Sequence, residues 1–117
     1  FLGSCNNGRI EDLRVGAALL KGRKVHPLVR FLVVPASQAV YKEALKEGLL
    51  QIFMESGAIV MNPNCSVCWG SCQGVIGEGG NFKCRAGHRD SFVYLASAAT
   101  VTASAIKGEI ATADMLD

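Results

Sequence analysis

The sequence lacks any apolar run of about 18 residues, the length a helix needs to cross a bilayer, so no membrane span is expected. The nearest approach, Ser91 to Ile106, is uncharged but short and rich in Ala, Ser and Thr. Charge is scarce, at 19% Asp, Glu, Lys and Arg, and the net value of +2 is too weak to argue for nucleic acid or an anionic membrane as partner. A signal peptide and an initiator Met are both missing. The chain opens instead on Phe1-Leu2-Gly3-Ser4-Cys5, which reads as the end of a buried strand, so a piece of a longer chain is expected. No internal repeat or linker is found. Gly77-x-Gly79 lacks the third glycine of a dinucleotide fingerprint, and no Gly-Lys-Ser/Thr completes a phosphate loop.

What is present suits one folded domain over residues 1–117. The chain is 50% hydrophobic, too apolar for a disordered segment. A chain of this size buries roughly two thirds of its unfolded surface and needs no staple to fold. Five cysteines cannot all pair with one another. Without secretory features, a reducing, cytoplasmic setting is expected, where clustered cysteines serve as metal ligands or catalytic groups.

The apolar pattern alternates between two periods. Phe1 to Ser4 is a short apolar run ending at the turn-forming Asn6-Asn7-Gly8. Ile10, Leu13, Ala17 and Leu20 then recur at helical spacing, and Gly22 with Lys21, Arg23 and Lys24 suits a helix end. Phe31-Leu32-Val33-Val34, stopped by Pro35, reads as a buried strand. Ser37 is placed to cap a second helix with the stripe Tyr41, Leu45, Leu49, Ile52 and Phe53, in which Gly48 is an interior residue. Ala58-Ile59-Val60-Met61 is a third strand. Phe92, Leu95, Ala99 and Ile106 suit a final helix that Gly108 ends. Strand, helix, strand, helix, strand implies an α/β fold with a parallel sheet and right-handed crossovers. Residues 64–89 are rich in Gly and Cys, show no clear period, and read as a long functional loop or a region with something bound.

In a parallel sheet the carboxyl ends of the strands share one edge, where α/β proteins place their sites. Cys5 falls at that end of the first strand, just before a helix. Cys65 and Cys68 fall just past the end of the third. A helix N-terminus favours a thiolate and an anionic metal–sulfur group. The blander account makes Cys5 a small buried residue and the other two incidental. Two metals suit the pattern. Zinc could take Cys65, Cys68, Cys84 and His88, a C-x2-C and C-x3-H pair, which leaves Cys5 without a role. An iron–sulfur cluster could take Cys5, Cys65 and Cys68; three thiolates on a four-iron cube leave one iron open as a Lewis acid.

The stretch Phe1-Leu2-Gly3-Ser4-Cys5-Asn6-Asn7-Gly8-Arg9-Ile10-Glu11-Asp12-Leu13 resembles the first cluster motif of the aconitase superfamily, with Asn6 where Thr is usual. Asn62-Pro63-Asn64-Cys65-Ser66-Val67-Cys68-Trp69-Gly70 resembles the second. The resemblance covers nearly the whole chain and lies nearest the isopropylmalate and homoaconitate dehydratase branch. It implies a three-layer α/β/α iron–sulfur domain and a [4Fe-4S] hydro-lyase that moves a hydroxyl on a 2- or 3-hydroxy di- or tricarboxylate. Isopropylmalate is the implied substrate, with homoaconitate or citrate/isocitrate as alternatives. Cys5, Cys65 and Cys68 match the cluster ligands. Arg85 matches a substrate-binding arginine, with Asn81 and Phe82 beside it and Cys84 where Gly is usual. The implied partners are the rest of a large subunit and a small, swivelling subunit of the leucine-biosynthesis type, which supplies the serine base.

Some positions depart from the family pattern. Gly77-Glu78-Gly79-Gly80 runs directly into Asn81, where members carry a further strand with an arginine and an asparagine. Cys72 stands where His is more usual. With those groups and the earlier domains missing, the isolated chain is expected to be inactive. Of the other candidates, His26 beside Pro27 reads as a solvated loop residue, and Trp69 as packing. Arg89 reads as surface charge, and His88 is open between a contact role and none.

Overall fold

The computed structural model describes residues 1–66 and 94–116 of the chain. These fall in two units, one made of residues 1–63 and 96–117, the other of Asn64–Leu95. The first unit holds every regular element described. In chain order these are β1 (Leu2–Gly3), α1 (Ser4–Asn7), α2 (Ile10–Leu20), β2 (Leu32–Val34), α3 (Gln38–Lys46), α4 (Leu49–Glu55), β3 (Ile59–Val60) and α5 (Ala98–Lys107), followed by a 3-10 turn at Ala113–Met115.

The three strands form one parallel sheet in the order β1-β2-β3. Leu2 and Gly3 pair with Val33 and Val34, while Leu32 and Val33 pair with Ile59 and Val60. All three residues of β2 are buried, as a continuous apolar run in a parallel sheet requires. Pro35 ends β2 because it has no N–H to give to the ladder.

Leu13, Ala17 and Leu20 form the buried stripe of α2, as their spacing predicts, and Gly16 joins them. The Arg9 N–H donates to the Asp12 carboxylate at 3.3 Å, and Glu11 and Asp12 place negative charge at the positive end of the helix. Gly16 marks the closest approach in the core. A Cβ there would lie 2.9 Å from Leu2, 3.1 Å from Thr102 and 3.2 Å from Phe53. So α2 packs against β1, α4 and α5 at one point, and these helices share one face of the sheet. The α/β class with its parallel sheet is therefore as expected. A second helical layer, on the other face, would have to come from outside the described residues. Phe31 and Phe53 meet edge to face in the core, with ring centroids 6.3 Å apart.

Two helices differ from the sequence-based expectation. The single helix after Ser37 is two helices. Gly48 takes a left-handed conformation (φ 77°) and starts α4 afresh. The break changes which residues face inward: Ala44, Leu49, Leu50 and Phe53 are buried, while Leu45 is 62% exposed. The last helix begins later than the apolar pattern implies. Ser97 caps it, accepting from the Thr100 N–H at 3.2 Å, and Leu95 lies outside it at 86% exposed. Gly108 ends it in a left-handed conformation, as expected. His26 lies in the irregular connector before β2, as its place beside Pro27 implies, and is half-buried there. Its N–H donates to the Ala105 carbonyl at 2.9 Å, and its Nδ1 accepts from the Leu28 N–H at 3.1 Å. Its ring lies where a Cβ on Gly108 would sit, so it pins the connector before β2 to the end of α5.

Candidate functional site

The polypeptide leaves β1 at Gly3 and turns at once. Ser4 has φ 65°, a conformation that costs a non-glycine residue energy, and Ser4–Asn7 then form the single turn α1. Cys5 is the second residue of that turn. Its side chain is exposed and its thiol is free. The structure thus places Cys5 at the carboxyl end of the first strand, inside the single turn α1 that precedes the longer helix α2.

Gly8 closes the turn. Its N–H donates to the Ser4 carbonyl at 2.9 Å, and its carbonyl accepts from the Ala36 N–H at 2.8 Å. Gly3 lies flat against β2: a Cβ on it would come within 2.6 Å of the Val34 carbonyl oxygen. The turn that carries Cys5 therefore stands on the carboxyl end of β2. Sequence reasoning placed Gly8 only in a turn. The contact with Val34 and Ala36 was hidden because these residues belong to the next strand, and the one available signal is the pair of glycines flanking Cys5.

Cys65 belongs to the second unit, where its thiol is also free and exposed. Beside it, the Ser66 N–H donates to the Asn64 side-chain oxygen at 2.5 Å and Ser66 takes φ 48°. This is an asparagine-led turn of the kind the Asn-Pro-Asn sequence favours. Cys68, Cys72, Cys84, Arg85 and His88, together with Trp69, Asn81 and Phe82, lie outside the described residues. Among the described residues no three His, Cys, Asp or Glu side chains are grouped to hold a metal.

The salt bridge found among the described residues is structural. Arg14 of α2 grips Glu47 at the end of α3 with two hydrogen bonds of 2.8 and 2.6 Å. The hydrogen bond from Arg14 holds the Glu47 carboxyl below its ordinary value, and the same bond raises Arg14.

A parallel α/β unit with a free thiol at the carboxyl end of a strand has the architecture of the class of α/β proteins whose sites lie at that edge. Within that class, the sequence profile described as Aconitase family (aconitate hydratase) matches residues 1–108, and the chain belongs to that family. It is 54% identical to a 3-isopropylmalate dehydratase large subunit of Aquifex aeolicus, over 97% of this chain and 29% of that protein. It is 52% identical to a 3-isopropylmalate dehydratase large subunit of Methanopyrus kandleri, over 94% of this chain and 28% of the relative. A methanogen homoaconitase large subunit of Methanocaldococcus jannaschii is 48% identical over 94% of this chain and 28% of its own length. The chain thus spans less than a third of the relatives it matches. The Aquifex alignment runs over 127 positions against the 117 residues of this chain, so that relative carries residues without a counterpart here.

Proposed function

We propose that the chain is the cluster-carrying part of a [4Fe-4S] hydro-lyase of the isopropylmalate dehydratase and homoaconitase type. The observation that carries this is a free, exposed Cys5 on a fixed turn, in a chain 54% identical to a dehydratase large subunit. The donor set fits the group. Thiolates are the ligands such clusters take, and the two cysteines that are described are both exposed and outside any disulfide. Cys5, Cys65 and Cys68 would hold the cluster. When bound, it supplies an open iron as Lewis acid for a hydroxyl or carboxylate. Arg85 would grip a substrate carboxylate through its guanidinium fork.

The substrate would be a small hydroxy-dicarboxylate such as isopropylmalate, with homoaconitate as the alternative. The working assembly would comprise the rest of a large subunit and a small subunit, in the cytoplasm. The residues absent relative to the Aquifex protein would fall before Asn81, where the family's additional arginine is expected. No described helix is long and apolar enough to cross a membrane.

Anaerobic reconstitution with iron and sulfide tests the reading. The expected result is about four irons per chain, falling to three on mild oxidation with the matching EPR signal. Cys5→Ala should abolish that signal. If Cys5→Ala keeps its metal while Cys84→Ala loses it, the centre is a zinc site of Cys65, Cys68, Cys84 and His88 instead.

A further inference from the structure

Around Cys5 the described structure has an exposed crown and a buried foot. Cys5, Asn6 and Asn7 are exposed, whereas Gly8 is buried. Gly8 has φ −111° and ψ 21°, backbone angles open to any residue, so its lack of a side chain is not a conformational need. It is a need for space. A Cβ on Gly8 would collide with the Val34 carbonyl oxygen and lie 2.7 Å from the Ser4 carbonyl oxygen and 3.0 Å from the Ala36 nitrogen. All three are backbone atoms, which cannot swing aside as a side chain would. An ordinary carbon–oxygen contact needs about 3.3 Å or more. A Cβ therefore forces the turn off β2 by about 1 Å and strains or breaks the Ala36 N–H bond to the Gly8 carbonyl.

We propose that Gly8, seated on the carboxyl end of β2, is a positioning residue that sets where the Cys5 thiol stands. This rests on the cluster reading above. Cys5 shares a single closed turn with Gly8, so it cannot keep its place when the foot of the turn lifts. Loss of groups that orient a metal ligand typically weakens metal binding about 10–100-fold. Coupling is also reciprocal: if the seat fixes Cys5, loading the cluster must in return steady the seat.

The test compares the wild-type chain, Gly8→Ala and Gly108→Ala after anaerobic iron and sulfide reconstitution. Gly108→Ala is the control. It crowds the His26 ring and strains a φ of 81°, so it destabilises the fold without touching the Cys5 turn. Iron retention against a chelator and the EPR spectrum of the oxidised cluster are read beside a thermal melt. Gly8→Ala should retain iron at least about tenfold more weakly, with an altered spectrum, while Gly108→Ala keeps both. Equal retention and identical spectra in Gly8→Ala and wild type overturn the proposal, and so does equal iron loss in the two variants. Should Gly8→Ala fail to fold, amide exchange in the wild type decides. The Ala36 N–H should exchange more slowly once iron is loaded, and an unchanged rate overturns the positioning role. A wild-type chain that takes up no iron overturns the cluster reading itself, and the positioning role with it.

Discussion

Thr102 carries a hydroxyl that the described residues around it do not use. It lies fully buried in α5, facing Gly16 of α2, with no hydrogen-bond partner among the described residues. A buried donor left unmatched costs about 1–3 kcal/mol, so Thr102→Val, which keeps the shape and removes the hydroxyl, should be neutral or stabilising. A thermal melt checks this: an unchanged or higher melting temperature is expected, and a clear fall would show that the hydroxyl is bonded. The Arg14–Glu47 pair sets a pH dependence of known sign. Glu47 titrates below its ordinary 4.5 because Arg14 bonds the charged form. The pair therefore stabilises the fold above that pH and stops doing so as pH falls through the lowered value. The pair is exposed, so the effect is small and screened by salt. Melts of wild type and Glu47→Gln across pH should differ near neutrality and converge in acid. A gap that widens in acid would contradict the assignment. At this scale the sequence was legible where chemistry is local, as at Cys5, whose place follows from the strand before it. It was silent where a residue's role depends on a distant neighbour. The crowding of Gly8 by Val34 and the pinning of His26 on Gly108 are of that kind.

The helices show how one backbone angle can reverse the sign of a substitution. A continuous helix over α3 and α4 would make Gly48 an unfavourable interior glycine, and Gly48→Ala would stabilise by about 1 kcal/mol. In the structure Gly48 sits at φ 77° between two helices, and a Cβ added to it would meet nothing within 4 Å. The obstacle is then conformational alone, and Gly48→Ala should destabilise by about 1–2 kcal/mol. Denaturant titration separates the two, since the midpoint moves in opposite directions. The stripe Tyr41, Leu45, Leu49, Ile52 and Phe53 has helical spacing throughout, which is why periodicity alone ran through the break. The apolar strands were clearer. Phe31–Val34 is bounded by Pro35, and β2 occupies Leu32–Val34 as that stop requires. α4 also carries the core's aromatic anchor. Phe53→Ala removes the edge-to-face partner of Phe31 in a fully buried site, and should cost about 3–5 kcal/mol in the same titration.

For the molecule as a whole, binding the cluster and turning over substrate should come apart. The three cysteines of the proposed cluster are all in this chain, so iron uptake should need nothing else. Substrate chemistry asks for more. A dicarboxylate calls for several cationic groups held in place, since a single guanidinium fork grips only one carboxylate. The contribution proposed here is Arg85. Arg14 is committed to Glu47, and the Arg23 side chain donates to the Leu19 carbonyl at 2.9 Å. The matched relatives are more than three times as long as the aligned part, which covers 28–29% of them. The reconstituted chain should therefore hold about four irons and its EPR signal, yet show no dehydration of isopropylmalate or homoaconitate. Adding a small subunit should not restore turnover, because the remaining large-subunit groups would still be absent. The assay follows the unsaturated acid by its ultraviolet absorbance, with iron counted on the same sample. Turnover by the 117-residue chain would overturn this expectation and would mean that the binding groups for both carboxylates lie within it. Loaded iron without turnover would instead locate the cluster's seat in this chain and the substrate's remaining contacts elsewhere.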